Sequence, residues 1–340
     1  MKAVFISSPK KIEVREIIEP EPKDDLVVVK IMSSVICGTE HIVYEKAPLP
    51  DLVGAAGHEA AGIVWKTDKA KYVKEGDKIS IYPTTGENCL RCIPCWSGEW
   101  QHCENKTIKR SRMGTHSQYM LVPEYICLPI PDKMPFSIGA MIDDCIGTPY
   151  RAIKRMGVTG GDTVFITGAG PIGAAAAVIV KFLNGRVIIV DPNEYRLEES
   201  RRNGADYLIN PEKDDVVARV REFTDNRGAD MAIDCSGYAA AQIQCLEVVR
   251  SGGSVAFVGI RSETTPINIP RHCILKELTI IGSWASTPQE HMELVALLGR
   301  GMPIEKIITH QFNIDDAQTA FDTFFCGKAV KVAINPWEME

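Results

Sequence analysis

The sequence predicts an α/β chain with two domains: a β-rich domain and a doubly wound domain on a six-stranded parallel sheet. A chain of 340 residues, 45% of them hydrophobic, is longer than the roughly 250–300 residues that one core usually supports. The hydrophobic pattern also changes near residues 157–161, from irregular short runs to alternating strands and helices. In addition, a glycine-rich turn follows the first strand of the second half.

The first half contains short apolar runs that are separated by Gly, Pro and Asp. Its main runs cover residues 26–31, 60–65, 78–82 and 119–122. Such spacing is typical of β-rich structure with long loops, and it predicts an irregular barrel or sandwich. The tail at 311–333 is expected to return to this domain. We therefore assign residues 1–146 and 284–340 to the first domain and 147–283 to the second.

The second half alternates apolar strands with amphipathic helices, which is the pattern of a parallel α/β sheet. Six strands make two mononucleotide-binding halves. The predicted strands lie at 163–167, 186–191, 206–210, 231–235, 254–259 and 278–282, and predicted helices include 172–183, 194–203 and 216–223.

Composition and charge exclude several classes of protein. A net charge of -6 gives no basic surface for nucleic acid. Lys10 and Lys11 interrupt the N-terminus before an apolar signal core can form, and the apolar stretch 169–180 is too short for a membrane span of about 20 residues. Four of the eleven cysteines are clustered, which favours metal binding over disulfides and predicts a cytoplasmic protein.

The glycine-rich turn fits the G-x-G-x-x-G fingerprint through Gly168, Gly170 and Gly173, with Pro171 and Ile172 between the last two. It follows a predicted strand and opens an apolar helix, which is the context that a pyrophosphate site needs. The glycines would allow the tight turn, the approach of the pyrophosphate and close packing of helix on strand. The alternative is a glycine-rich turn that binds no ligand.

Asp191, at the end of the next predicted strand, favours the ligand-binding alternative. Its carboxylate is placed to accept hydrogen bonds from an adenosine ribose and would repel a 2′-phosphate. Asp191 is followed by proline and asparagine rather than arginine, so the sequence predicts NAD rather than NADP. Arg196 is a further candidate for contact with the ribose or phosphate, or else a solvated arginine on a helix surface.

Four cysteines within 15 residues form a predicted metal lobe at about 86–105. Their spacing is Cys89-x2-Cys92-x2-Cys95-x7-Cys103, and four thiolates imply a closed, tetrahedral structural zinc site. An iron–sulfur cluster is the competing metal, but the bacterial cluster motif has a gap of about three residues before its last cysteine. Four metal-free cysteines are the remaining alternative.

A second set of candidate ligands lies apart from the lobe. Cys37 precedes Gly38 and Thr39, and the triplet Gly57-His58-Glu59 follows later in the β-rich half. Each alone is commonly a buried structural residue, and Glu59 can simply pair with a lysine. Together, a thiolate and an imidazole are typical ligands of a catalytic zinc, which keeps an open coordination position.

These motifs, in this order, resemble the zinc-containing medium-chain alcohol dehydrogenase family over essentially the whole chain. The resemblance implies a GroES-like catalytic domain with an inserted Rossmann domain that binds NAD, one catalytic and one structural zinc per chain, and a homodimer or homotetramer. It implies that the alcohol substrate binds between the domains. It also assigns Val258, Gly259 and Ser283 to the cofactor site.

The resemblance leaves the third ligand of the catalytic zinc and the proton relay open. The family usually has Glu or Cys where this chain has Asp144, and Asp143 or Glu59 are alternatives; Asp143 and Asp144 can also be a charge pair at a helix N-terminus. Thr39 matches the hydroxyl that takes the alcohol proton. His41 is a candidate for the outer relay, although it precedes by one residue the position that the family uses.

Polar residues near the expected pocket favour a hydroxyl-rich substrate. They are His116 in the segment 114–119 and Thr84, Thr85 and Glu87 before the cysteine lobe. The sequence therefore predicts a secondary alcohol of the sugar, polyol or amino-polyol class, with threonine or a simple secondary alcohol as the alternative. A non-catalytic NAD-binding scaffold and a zinc-free quinone-type reductase are alternatives from other classes, both disfavoured by the ligands.

Overall fold

The computed structural model describes residues 1–46, 56–83, 86–107 and 114–337, which form two compact units. Unit 1 contains Met1–Gly147, Ser286–Leu297 and Ile308–Glu340, and unit 2 contains Thr148–Ala285 and Leu298–Ile307. The C-terminal third of the chain therefore contributes to both units. The stretch Leu298–Ile307 belongs by its contacts to unit 2, whereas the sequence grouped it with the first domain.

Unit 1 is built on a seven-stranded sheet and a separate two-stranded hairpin. The sheet order is β14-β15-β3-β4-β5-β7, with β6 paired to β3, and β1 pairs with β2. Its strands are β1 Lys2–Ser8, β2 Lys11–Glu16, β3 Leu26–Val35, β4 Glu59–Lys66, β5 Lys78–Ile81, β6 Tyr119–Pro123, β7 Cys127–Pro129, β14 Ile308–Asn313 and β15 Lys331–Asn335.

The centre of this sheet is β3, which pairs with β4, β6 and β15. Its run of β-branched residues is buried almost throughout, as expected for a strand with neighbours on both sides. Because β15 adds to β3, the C-terminal segment completes the unit that the N-terminus begins. The helices of this unit are α1 His41–Glu45, α2 Ile93–Trp96, α3 Phe136–Met141, α9 Pro288–Gly299 and α10 Ala317–Phe325.

Unit 2 contains a six-stranded parallel sheet, as the sequence predicts, and its strand order is β10-β9-β8-β11-β12-β13. This is the order of a doubly wound dinucleotide-binding fold. Its strands are β8 Thr163–Thr167, β9 Arg186–Val190, β10 Tyr207–Ile209, β11 Ala229–Asp234, β12 Val249–Phe257 and β13 Thr279–Gly282, and its helices are α4 Gly147–Met156, α5 Pro171–Phe182, α6 Glu194–Arg202, α7 Val216–Phe223 and α8 Ala239–Val248.

The central strands of unit 2 are continuous apolar runs because helices bury both faces of the sheet. Asn193 and Asp215 cap α6 and α7 by accepting the main-chain N–H groups of Arg196 and Ala218. By contrast, no side chain caps α5, which starts at the glycine loop. Among the helices of the described residues, none is long and apolar enough to cross a membrane.

Candidate metal and cofactor sites

The four cysteines of the lobe converge in unit 1 at distances suited to one metal ion. The sulfurs of Cys103 and Cys92 lie 3.9 Å apart and those of Cys103 and Cys89 lie 3.6 Å apart. Tetrahedral zinc with Zn–S bonds of about 2.3 Å separates its sulfurs by about 3.8 Å. A disulfide would need about 2.05 Å, and all four thiols are free. With Cys95, these residues form a closed four-thiol set.

Strand pairing brings the second set of candidate ligands together. Cys37 lies two residues beyond β3, Glu59 is the first residue of β4, and Val35 pairs with Glu59 in the antiparallel register. His58 therefore emerges beside Cys37 at one end of the β3–β4 pair. Gly57, with φ +97°, makes the turn into this segment in a backbone region that favours glycine.

Asp144 completes the cluster from a different part of unit 1. It lies in the π-helical segment Ile142–Ile146, and its Oδ2 is 2.9 Å from His58 Nε2 and 3.7 Å from Cys37 Sγ. The ligand atoms of Cys37, His58, Glu59 and Asp144 all lie within 4.8 Å of one another. A thiol, an imidazole and carboxylates within this distance are a donor set that zinc accepts.

Glu59 pairs with a lysine, as one of the sequence alternatives allowed, but it also stays in the cluster. Its Oε2 accepts a 2.7 Å bond from Lys331 Nζ, and both side chains are buried. Burial raises the pKa of Glu59 to about 7, although Lys331 opposes this rise. Its Oε1 accepts no hydrogen bond from any described residue. A buried oxygen without a partner is expected beside a cation.

The charges of the cluster also fit a divalent cation. When ionised, Cys37, Glu59 and Asp144 carry three negative charges, and Lys331 offsets one of them. Burial, and after it the negative charges of Asp144 and Glu59, raise the pKa of Cys37. A bound zinc ion would neutralise the remainder, so the donor set and its electrostatics both fit the metal.

Sequence reasoning missed Lys331, whose signal was a lysine directly before the apolar residues 332–334. It begins β15, and the pairing of Ala333 with Val35 brings this end of β15 beside Cys37. Burying a lysine is costly unless a carboxylate pairs with it. The isolated lysine at 331 therefore pointed to a buried acidic partner, but the sequence did not identify Glu59 as that partner.

Asp143 is not part of the metal cluster, although the sequence kept it as an alternative ligand. Its carboxylate accepts bonds from Ser80 Oγ at 2.6 Å and His291 Nδ1 at 2.8 Å. Neither acid starts a helix, because both lie in the π-helical segment between α3 and α4. The alternative of a charge pair at a helix N-terminus is therefore wrong.

Thr39 and His41, the candidates for the proton relay, have different surroundings. The hydroxyl of Thr39 donates to Cys37 Sγ over 3.3 Å, which places it at the metal cluster. His41 instead pairs with Glu45 over 2.9 Å on the partly exposed side of α1. Of the two residues, the structure brings only Thr39 to the ligands.

The glycine loop of unit 2 has the geometry that the fingerprint predicts. Gly168 has φ +84°, and a Cβ added to Gly173 would lie 1.7 Å from the carbonyl oxygen of Gly168. A Cβ added to Gly170, by contrast, would have only Arg196 within 4 Å, at 3.9 Å. The first and third glycines are therefore needed for the fold, whereas Gly170 leaves open space beside the start of α5. Pro171 and Ile172 begin that helix.

Asp191 lies beside this loop and fixes its conformation. Its Oδ2 accepts the N–H of Ala169 at 2.7 Å and its Oδ1 accepts the N–H of Asn193 at 2.8 Å. Arg196 lies near Gly170, where the sequence expected a contact with the ribose or phosphate. The carboxylate and the guanidinium thus both lie near the glycine turn.

Val258, Gly259 and Ser283 follow the carboxyl ends of β12 and β13 in unit 2. The N–H groups of Val258 and Gly259 both donate 2.9 Å bonds to the carbonyl of Asp234. The hydroxyl of Ser283 is buried and has no hydrogen-bond partner among the described residues. Ligands of doubly wound folds bind at this end of the sheet.

Asp234 is a second residue that sequence reasoning missed. It is fully buried at the end of β11, and its carboxylate accepts bonds from Thr167 Oγ1, Ser236 and the N–H of Gly237. It therefore holds the turns that follow two adjacent strands. An acidic residue near the end of the predicted apolar strand 231–235 was the available signal.

Of the residues behind the prediction of a polar pocket, His116 does not support it. His116 is fully buried, where Ser34 and Glu40 bind its ring nitrogens. Thr84 and Thr85 lie outside the described residues, and Glu87 forms a bridge with Thr107. His116 is therefore not a pocket residue, and the preference for a hydroxyl-rich substrate loses this support.

Comparison with known proteins identifies related sequences and folds. Residues 171–300 match the family of zinc-binding dehydrogenases, and residues 23–132 match the alcohol dehydrogenase GroES-like domain. The L-threonine 3-dehydrogenase of Anaeromyxobacter sp. strain K is 32% identical over 91% of this chain and 90% of its own length. That of Deinococcus deserti is 32% identical over 95% and 94%.

A solved structure shows the same fold. The alcohol dehydrogenase TADH from Thermus sp. ATN1 superposes with a TM-score of 0.88 at 24% sequence identity, covering 98% of this chain and 99% of that one. At this identity the likeness establishes the architecture and not the substrate.

Proposed function

Because the chain belongs to the zinc-containing medium-chain alcohol dehydrogenase family, we propose that it transfers a hydride between a secondary alcohol and NAD. The observation that carries this proposal is the convergence of Cys37, His58, Glu59 and Asp144 in a buried cluster. A fold that only bound NAD would have no use for these ligands.

The metal-binding residues have separate roles in the proposed chemistry. Cys37, His58 and Asp144 would hold zinc, and Glu59, paired with Lys331, would balance its charge. A zinc ion there supplies a Lewis acid that lowers the pKa of an alcohol group. Thr39, whose hydroxyl donates to Cys37 Sγ at the cluster, would relay the alcohol proton: the hydroxyl can accept that proton while it releases its own to solvent.

The cofactor-binding residues belong to unit 2. The turn at Gly168, Gly170 and Gly173 would receive the pyrophosphate at the uncapped start of α5, and Asp191 would accept hydrogen bonds from the ribose hydroxyls. Bound NAD supplies the hydride acceptor. We expect a kinetic preference for NAD, because a 2′-phosphate would meet the carboxylate of Asp191; a preference for NADP would contradict this assignment.

Two substrate classes remain as candidates within this function. Sugars, polyols and amino-polyols are the class that the sequence analysis favoured, without the support of His116, whereas L-threonine is favoured by the curated relatives, which are L-threonine 3-dehydrogenases. Oxidation of a panel of both classes, followed by NADH absorbance, decides between them. A preference for long-chain primary alcohols would contradict both.

Zinc content separates an enzyme from a non-catalytic scaffold. We expect two zinc ions per purified chain, one in the four-cysteine lobe and one at Cys37, His58 and Asp144. The variant Cys37→Ser should retain one zinc and lose turnover, and Cys326→Ser, at an exposed cysteine outside both clusters, is the matched control. One zinc in the unaltered protein would favour the scaffold.

We also propose a cytoplasmic location and a homodimeric or homotetrameric assembly. All eleven cysteines are free thiols, which suits a reducing compartment. In unit 2, the edge strand β13 and the segment before it expose several large apolar side chains, as expected of a surface that a second copy covers.

A further inference from the structure

The helical segment that carries Asp144, the third candidate zinc ligand, is held by contacts that the proposed function does not explain. Asp144 lies in the π-helical segment Ile142–Ile146, which joins α3 to α4. A π-turn inserts one extra residue into a helix, is rare, and is frequently found at functional sites. Such a turn needs contacts from outside the helix to persist. Here Asp143, the residue before Asp144, makes them.

Both carboxylate oxygens of Asp143 and its main-chain carbonyl accept hydrogen bonds. Its two carboxylate oxygens accept bonds from Ser80 Oγ, at 2.6 Å, and His291 Nδ1, at 2.8 Å. Its main-chain carbonyl accepts a 2.7 Å bond from Ser286 Oγ. Asp143 and His291 are both buried. We call Asp143, Ser80, His291 and Ser286 the Asp143 anchor.

The anchor is itself fixed to the sheet of unit 1. Ser80 lies in β5, and the other ring nitrogen of His291, Nε2, bonds to the carbonyl of Pro129 in β7 over 2.9 Å. Gly147, just after the π-turn, has no room for a Cβ, which would lie 2.6 Å from Ser286. The π-turn is therefore fastened through Asp143 and Gly147, neither of which belongs to the metal cluster.

Fixing Asp143 also determines where the carboxylate of Asp144 points. Consecutive residues of a helix project in different directions, so fixing Asp143 towards Ser80 and His291 fixes the direction of Asp144 towards Cys37 and His58. Compared with glutamate, an aspartate lacks one methylene, a bond length of about 1.5 Å. Its main chain must therefore lie closer to the metal, with less freedom to adjust.

We propose that the Asp143 anchor positions Asp144 for metal binding, so that His291 is a positioning residue although it does not touch the metal. This inference rests on the proposed function, because it assumes zinc at the cluster. Hydrogen bonds behind metal ligands commonly change metal affinity by about 10–100-fold.

Two substitutions at His291 test its two hydrogen bonds, to Asp143 and to the carbonyl of Pro129, one at a time. In His291→Asn the side-chain amide takes the place of Nδ1 and keeps the bond to Asp143, whereas in His291→Gln it takes the place of Nε2 and keeps only the bond to Pro129. We expect His291→Gln to bind the catalytic-site zinc about tenfold or more weakly, and His291→Asn to keep most of the affinity.

Zinc affinity is measured by competition with a chelator, and the four-cysteine site of the same chain is the internal control. The visible spectrum of the cobalt-substituted protein reports the geometry at Cys37 and should change only in His291→Gln. Unchanged affinity and spectrum in that variant, or equal losses in both variants, would overturn the inference.

A milder variant keeps the test valid if His291→Gln does not fold. Ser286→Ala removes only the bond to the Asp143 carbonyl and should weaken zinc in the same direction by a smaller factor, with an unchanged four-cysteine site. Full affinity in Ser286→Ala would then overturn the inference. If the unaltered protein held no zinc at Cys37, the proposed function itself would fail, which is a distinct result.

Discussion

Thr39 and His41 are two residues apart, but their contacts predict different roles. Thr39 donates to Cys37 Sγ, whereas His41 pairs with Glu45 at the surface of α1. We expect Thr39→Ala to lower kcat by about 10²–10⁴, the usual contribution of a positioned proton-transfer group. We expect His41→Ala to have only a small effect. Steady-state kinetics measures both, and Thr39→Ser, which keeps the hydroxyl, is the control. Equal losses in Thr39→Ala and His41→Ala would show that the relay is misassigned.

Gly170 offers a test of the cofactor site that does not disturb the fold. It has an ordinary φ of −69°, and a Cβ there would meet nothing closer than 3.9 Å. Gly170→Ala should therefore fold normally but keep the pyrophosphate from approaching the main chain. A loss of about 1.4 kcal/mol raises the Kd for NADH about tenfold.

Titration of NADH fluorescence measures this Kd. Gly161→Ala is the matched control, because its added Cβ also meets nothing closer than 3.9 Å and it lies outside the loop. An unchanged Kd for NADH in Gly170→Ala would show that the cofactor does not bind at this turn. A lower unfolding temperature in that variant alone would contradict the open space seen at Gly170.

Site residues could be predicted from the sequence where they lie close together along the chain, and not where their partners are far apart in it. The four cysteines of the lobe and the glycine turn were predicted because their spacing is local. Glu59 and Lys331 lie 272 residues apart, so no local pattern could pair them. For the same reason the burial of His116 could not be predicted, because its partner Ser34 lies 82 residues away.

At the scale of elements, Asp230 connects three adjacent strands of the unit 2 sheet, β8, β11 and β12. It lies in β11 and accepts bonds from the N–H of Thr163 in β8 at 2.9 Å, from Arg250 in β12 at 2.7 Å and from Arg227 at 2.8 Å. Asp230→Asn should lower the free energy of unfolding by about 1–3 kcal/mol, because buried donors lose a charged acceptor. Urea unfolding measures the change.

The effect of Asp230 should also depend on pH. Burial alone would raise the pKa of Asp230, but the bonds from Arg250 and Thr163 lower it below its ordinary value of 3.8. Its stabilisation is thus present at neutral pH and is lost as the pH falls below about 4 through the lowered pKa. The difference between Asp230→Asn and the unaltered protein should shrink there. Asp214→Asn, at an exposed position, is the control, and a pH-independent difference would contradict this account.

Prediction of elements succeeded where the pattern itself determines the structure. The six strands of unit 2 were found because each is a short apolar run followed by a turn or helix. The π-turn at Ile142–Ile146 could not be predicted, because Ser80, Ser286 and His291 stabilise it from distant segments. Its own sequence is also compatible with an ordinary helix.

At the scale of the whole molecule, the exposed apolar surface of unit 2 makes the assembly testable. Strand β13 is the last strand of its sheet, with Ile280 40% exposed, and Ile274 and Leu275 just before it are 64% and 78% exposed. An unpaired strand edge beside exposed apolar residues tends to pair with another chain. We expect the unaltered protein to be a dimer or tetramer in solution, with this surface buried between copies.

Ile280→Asp should shift the assembly towards smaller species, because each subunit would bury an unpaired carboxylate at the interface. Light scattering coupled to size-exclusion chromatography measures the mass. Tyr72→Asp alters an apolar side chain of unit 1 that is 82% exposed and should leave the mass unchanged. A monomer for the unaltered protein, or equal dissociation in both variants, would place the interface elsewhere. Because NAD is proposed to bind within unit 2 of each chain, dissociation alone should leave the Kd for NADH nearly unchanged.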